Sequence, residues 1–118
     1  MAIVGGQIMT VLESIEPDVH HVVLRGRLDL RSVPDLRMTV HRIVGDGTTP
    51  LHLDLAEAQI GDTTGFGFLV ECARRAARRG RVLRVVAAED RTVRLLRRAR
   101  LGHLLAMPEQ TVGTLTAL

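Results

Sequence analysis

Two spacings of apolar residues run along this chain, one of two and one of three to four, and they exchange at Gly, Pro and Asp. Ile8 to Ile15 has the β-branched and apolar content of a strand, Glu16-Pro17-Asp18 is a turn signal, and His20 to Arg27 follows at hairpin distance. An antiparallel pair is expected there. From Ser32 the spacing lengthens. Val33, Leu36, Val40, Ile43 and Val44 predict a helix with one buried face, capped by Ser32, with Pro34 in its first turn and Asp35 at its positive end. Gly45-Asp46-Gly47 stops it.

After Pro50, Leu51, Leu53 and Leu55 alternate with His52 and Asp54 as a strand does. The stretch Ile60-Gly61-Asp62-Thr63-Thr64-Gly65-Phe66-Gly67-Phe68 then turns from loop into helix. That helix is expected to bury Phe68, Leu69, Cys72 and Ala76, to turn Glu71, Arg74, Arg75 and Arg78 to water, to pair Glu71 with Arg75, and to end at Gly80. Val82 to Ala87 is almost continuously apolar and reads as a strand covered on both faces or close to it. Asp90 is placed to cap a helix from Arg91 to Arg100 with Val93, Leu96 and Leu101 inward, broken by Gly102. Leu104 to Met107 reads as a short strand, and Thr111 to Leu118 as a last helical turn or two. Met1 to Gln7, with Gly5-Gly6, reads as a flexible lead-in to one domain over residues 8–118.

This order of elements predicts an α/β fold. Its mixed sheet has four to five strands, antiparallel in the N-terminal hairpin and largely parallel afterwards, with about four helices. Loops leaving the carboxyl ends of such strands carry function, and residues 56–65 form one of them.

Composition narrows the classes of function. At 118 residues the chain buries a core without staples, and its one cysteine, Cys72, forms no internal disulfide, which suits a reducing, cytoplasmic setting. No apolar run approaches the roughly 20 residues of a membrane-spanning helix, and the N-terminus lacks the order of a signal peptide, so no membrane insertion is expected. Net charge is +3, with the arginines crowded into Arg74 to Arg100. Phe66 and Phe68 are the only aromatics, and no helix-turn-helix pattern is evident. The arginines therefore read as solvated helix faces or docking patches for an acidic partner, not as a direct nucleic-acid surface.

Catalytic and cofactor patterns are weak. Ser14 and Ser32 sit in no Gly-x-Ser-x-Gly elbow, Cys72 falls on an apolar helix face, and Asp54 with Asp62 lacks supporting residues for acid/base work. His20 and His21 point to opposite faces of a strand, while His41, His52 and His103 lie on separate elements; surface or strand-end positions are expected and no metal. No phosphate-binding glycine motif is complete, so no nucleotide cofactor is expected. What stands out is Asp62 as an N-cap, with the hydroxyls of Thr63 and Thr64 at a helix N-terminus. A phosphate there meets N–H groups and the positive end of a helix dipole. That geometry suits a hydroxyl that is modified or docked.

Gly26-x-Leu28-Asp29, Leu51-His52-Leu53-Asp54-Leu55, Asp62-Thr63-Thr64-Gly65-Phe66-Gly67 and Leu101-Gly102, in this order, resemble the STAS domain family, and within it the bacterial anti-sigma factor antagonists. The likeness runs from about residue 8 to 118. It implies the STAS fold and a partner switch: binding to an anti-sigma factor that is also a serine/threonine kinase, phosphorylation that ends the complex, and a protein phosphatase that resets it. The resemblance maps the acceptor hydroxyl to Thr63, the motif's flanks to Asp62 and Gly65, and a partner-binding loop residue to Asp29. Partner contacts are thus expected at Asp29, Asp62, Thr63, Thr64 and Gly65. The family usually has Ser at the acceptor and an apolar residue before the Asp, where this chain has Thr63 and Gly61, a glycine expected to loosen the loop. The other reading is a STAS scaffold that never cycles through phosphate, or a small subunit of a signalling or transport-ATPase assembly.

Overall fold

The computed structural model describes residues 2–4 and 7–106. Strands β2 (Gln7–Ile15) and β3 (His20–Leu28) form the expected antiparallel hairpin, from Thr10 opposite Arg25 to Ile15 opposite His20. The turn is closed by Glu16 N–H donating to the Val19 carbonyl at 2.9 Å. Ala2–Val4, expected to be part of a flexible lead-in, instead forms strand β1, antiparallel to the start of β2. Its three residues, Ala-Ile-Val, are compatible with an edge strand, and no local signal called for pairing.

Helix α1 (Val33–Gly45) leads to β4 (Leu51–Ile60), and α2 (Thr63–Arg78) leads to β5 (Leu83–Ala88). Strand order in the sheet is β1-β2-β3-β4-β5, with β3, β4 and β5 parallel. Because successive strands are neighbours, right-handed crossovers bring α1 and α2 onto one face, where they pack on each other. The stripe Val33, Leu36, Val40, Ile43 and Val44 is buried as its spacing predicts, and so are Phe68, Leu69, Cys72 and Ala76 of α2. They meet Val22, Leu24, Leu28, Leu51, Leu53, Leu55, Leu83 and Val85 from the sheet. The opposite face carries His21, Val23 and His52 half-buried and Arg25 exposed.

Several local expectations yield to tertiary geometry. β5 lies at the end of the strand order, and only Leu83 and Val85 are fully buried while Arg84, Val86, Ala87 and Ala88 are half-buried, so one face alone is closed. Glu71 makes no ion pair with Arg75; it reaches across to Arg37 of α1 at 3.2 Å and to His41. Helix α3 (Asp90–Arg98) starts from Glu89 as its N-cap, with no side-chain bond from Glu89 or Asp90. Its end is set two residues before Gly102: Arg100 adopts φ 62°, and Leu101 N–H returns to the Leu96 carbonyl at 2.8 Å. Gly80 fills the same left-handed position after α2, at φ 69°, with Arg81 N–H on the Ala76 carbonyl at 2.8 Å. A 3₁₀ turn, Gly102–Leu104, and a single parallel bridge from Leu105 to Val85 stand where a short strand was expected. The helix expected over Thr111 to Leu118 lies outside the described residues.

Arg81 is the other departure. An arginine in a basic stretch reads as solvated, yet this one is 3% exposed. Its guanidinium donates to the carbonyls of Thr49 at 2.6 Å, Ile43 at 2.8 Å and Val44 at 3.0 Å, and to His20 Nδ1 at 2.9 Å. At the C-terminal end of α1 it thereby supplies a donor to the Val44 carbonyl and a second one to the Ile43 carbonyl, which also accepts from Asp46 N–H at 3.2 Å. His20 opens β3, a strand-end position as expected, but its ring is buried and not at the surface. Since an arginine has no acceptor, His20 must present its Nδ1 lone pair to Arg81, which leaves Nε2–H to donate to Glu13 Oε2 at 2.7 Å.

Candidate functional site

The loops after β3 and β4 meet at the carboxyl ends of adjacent parallel strands, where α/β sheets place function. Asp62 joins them. Its Oδ1 accepts from Gly65 N–H at 2.9 Å, capping α2 as predicted, and its Oδ2 accepts from Leu30 N–H at 2.9 Å, a residue 32 positions away. Both oxygens of one carboxylate are thus engaged, one holding the helix start and one holding the neighbouring loop.

Gly61 does not loosen this junction. Its N–H donates to the Leu28 carbonyl at 2.7 Å, and its own carbonyl accepts from Arg27 Nη2 at 3.3 Å. The same Leu28 carbonyl explains Gly65. A Cβ at position 65 falls 2.0 Å from that oxygen and 2.6 Å from its carbon, so the first turn of α2 approaches the end of β3 only with glycine there. Gly65→Ala is expected to destabilise the fold by about 1–3 kcal/mol, the cost of overpacking where the colliding atoms are backbone. Chemical denaturation of the variant checks this. An unchanged midpoint means that β3 and α2 do not sit this close.

The β3 to α1 loop is built by Asp29 and Ser32, in a way that local capping rules do not predict. Ser32 makes no side-chain cap on α1. It is fully buried, and its hydroxyl donates to the Arg27 carbonyl at 2.7 Å and accepts from Asp29 N–H at 3.1 Å. Asp29 Oδ1 accepts the N–H groups of Arg31 at 2.9 Å and Ser32 at 3.1 Å, while Oδ2 lies 3.3 Å from Arg27 Nε. Asp29 is only 7% exposed, so its carboxylate shapes the loop from inside. What the loop offers outward is Leu30, 66% exposed. Sequence reading missed Leu30; the available signal was an apolar residue between Asp29 and Arg31 in a loop otherwise made of polar side chains.

Thr63, the first residue of α2, is exposed, whereas Thr64 is half-buried and Gly65 is buried. Thr63 lines a small groove with Ile60, Asp62, Phe66, and Arg91 and Leu95 of α3. Of the expected contact residues, the structure brings Asp62, Thr63, Thr64 and Gly65 to one helix start and sets the Asp29 loop beside them through the Leu30 bond. Cys72 is far from nucleophilic use: burial pushes its thiol up to about 12, the Glu71 carboxylate adds to this, and the Arg75 and Arg37 charges only partly oppose it. Among the described residues no helix is long and apolar enough to cross a membrane.

Residues 11–107 match the family described as Mlab, STAS domain. The chain belongs to the STAS domain family. An anti-sigma-B factor antagonist of Staphylococcus epidermidis is 28% identical to this STAS domain over 94 residues, covering 80% of this chain and 87% of that protein. Among solved structures, an anti-sigma factor antagonist from Mycobacterium paratuberculosis superposes with a TM-score of 0.69 at 22% identity, over 85% of each chain. The phosphorylated form of the Bacillus cell fate determinant SpoIIAA gives 0.67 at 14% identity, over 92% of this chain and 99% of that one. These likenesses place the hairpin, the parallel strands and the two packed helices of this STAS domain in a known α/β fold.

Proposed function

We propose that this protein is an anti-sigma factor antagonist of the partner-switching type, acting in the cytoplasm. In its unmodified form it binds an anti-sigma factor that is also a serine/threonine kinase, and the sigma factor is released. The kinase then transfers the γ-phosphoryl group of its ATP to Oγ1 of Thr63, the hydroxyl proton is lost and ADP leaves. The complex dissociates and the sigma factor is sequestered again. A protein phosphatase hydrolyses the ester and restores the hydroxyl.

The observation that carries this reading is the setting of Thr63. Its side chain is exposed at the first residue of α2, on a helix start fixed by Asp62 and by the close approach of Gly65 to Leu28. Exposure gives a kinase access, and rigidity gives it one geometry to read. Leu30, held to Asp62 and open to solvent, supplies an apolar contact beside the acceptor. Phosphate adds about 1.5 to 2 negative charges to a surface that had closed over a neutral hydroxyl. A full reversal from bound to free takes on the order of 5.5 kcal/mol, within reach of a doubly charged group for which the bound partner supplies no counter-charge.

Incubation with the cognate kinase and ATP, followed by mass measurement, tests the proposal. One phosphoryl group is expected on the wild type and none on Thr63→Ala. Modification that persists in Thr63→Ala moves the acceptor elsewhere. No gain of mass with a kinase that binds the protein leaves the scaffold reading in its place.

A further inference from the structure

The groove beside Thr63 holds a cation that the partner switch as stated does not use. Ile60, Phe66 and Leu95 make its apolar walls, and its polar members are Asp62, Thr63 and Arg91. Asp62 is occupied on both oxygens by backbone N–H groups. Arg91 makes one described bond, from Nη1 to the carbonyl of Ile60 at 2.7 Å. The ion pairs made by arginine among the described residues belong to Arg25, Arg27, Arg37 and Arg42, and none engages Arg91. A guanidinium is therefore tied by one nitrogen to the end of β4, three residues before the acceptor hydroxyl, with the rest of its planar fork uncommitted.

We propose that Arg91 receives the phosphate on Thr63, so that the modified side chain is bound by its own chain in the groove between α2 and α3. The proposal rests on Thr63 as the acceptor and adds the residue that answers it. A planar fork suits the task better than an ammonium. It keeps one N–H on the Ile60 carbonyl while Nη2 or Nε pairs with a phosphate oxygen, so the strand end and the modified helix start are fixed together. The N-terminal dipole of α2 acts in the same sense. Phosphorylation then does two things at once: it puts charge on the docking surface, and it clamps the first turns of α2 and α3 to each other. A partner that fits the open groove meets a closed one.

The test uses full-length protein with phosphothreonine incorporated at position 63 during translation, so that it is independent of any kinase. Failure of a kinase to modify Thr63 would count against the functional reading and leave this measurement standing. Phosphorylated and unmodified forms of wild type, Arg91→Gln, Arg91→Lys and Arg31→Gln are compared by thermal unfolding and by ³¹P NMR titration. Arg91→Gln loses charge and weakens the bond to Ile60 in both forms, so the quantity read is the change caused by phosphate in each background. In wild type, phosphate is expected to raise the unfolding midpoint, and the second ionisation of the phosphate is expected about 0.3 to 1 unit lower than in Arg91→Gln. Arg91→Lys should keep part of both effects, and Arg31→Gln all of them. Equal phosphate effects in wild type and Arg91→Gln overturn the proposal. So does their loss in Arg31→Gln with retention in Arg91→Gln.

Discussion

Thr63→Glu is expected to bind the cognate anti-sigma factor about 100-fold more weakly than the wild type, or worse, while Thr63→Ala binds as well as the wild type. The loss comes from the interface and not from the fold. Position 63 is exposed and opens α2, so a carboxylate there lies at the positive end of the helix dipole, a place where acidic residues stabilise by about 0.3–1 kcal/mol. Asp62 keeps its bonds to Gly65 and Leu30, because neither passes through residue 63. A folded protein thus presents a charge where, in the proposed complex, the partner closes over Thr63 and Leu30. Removing an ion from water without a partner costs several kcal/mol, and that penalty appears as faster dissociation. Calorimetric titration of the three proteins, with unfolding curves to certify the fold, gives the answer. Glutamate binding within threefold of the wild type would remove the charge gate from the account.

Arg81→Ala is expected to destabilise the domain by about 3–5 kcal/mol without altering affinity per folded molecule. One side chain holds three backbone carbonyls and one imidazole, from the end of α1, the loop before β4 and the start of β3. Truncation to alanine takes this donor from the Thr49 and Val44 carbonyls, leaves the Ile43 carbonyl with Asp46 N–H alone, opens a cavity where the guanidinium stood, and frees the His20 ring whose other nitrogen faces Glu13. Arg81→Lys should recover only part of this, since an ammonium cannot reproduce the fork that spans Thr49 and Ile43. Arg81 precedes β5, at the end of the parallel strands opposite the Asp62 loop, which is why the binding surface is expected to survive. Denaturant titration measures the loss. A change below about 1 kcal/mol would mean that water replaces the guanidinium at these carbonyls at little cost.

The helices were the most legible elements, for a physical reason. Val33 to Val44 and Phe68 to Ala76 each bury one stripe, and a stripe at spacings of three and four is a property of neighbours along the chain. Asp62 was legible as a cap on the same grounds, since its bond to Gly65 spans three residues. Ser32 shows the limit of such reasoning. It has the right side chain at the right place, but its hydroxyl is taken by the Arg27 carbonyl and Asp29 N–H, and α1 begins without it. Asp29 shows a second limit: the motif points to this loop, while burial turns its carboxylate inward and leaves Leu30 to face solvent. Glu71 shows a third, because a neighbouring helix offered Arg37 and His41 in place of the Arg75 one turn away.

By itself, the sequence determined the alternation of strand and helix, the buried stripes, the capped helix start and the family to which these belong. Only the tertiary structure decided what surrounds Thr63 and what holds the sheet's far end. The bond from Asp62 to Leu30 spans 32 residues and that from Arg81 to His20 spans 61, and Gly65 meets a Leu28 carbonyl from another element altogether. Such partners are chosen by which strands lie side by side. Periodicity records which way a side chain faces, and pairing across the sheet decides what it finds there.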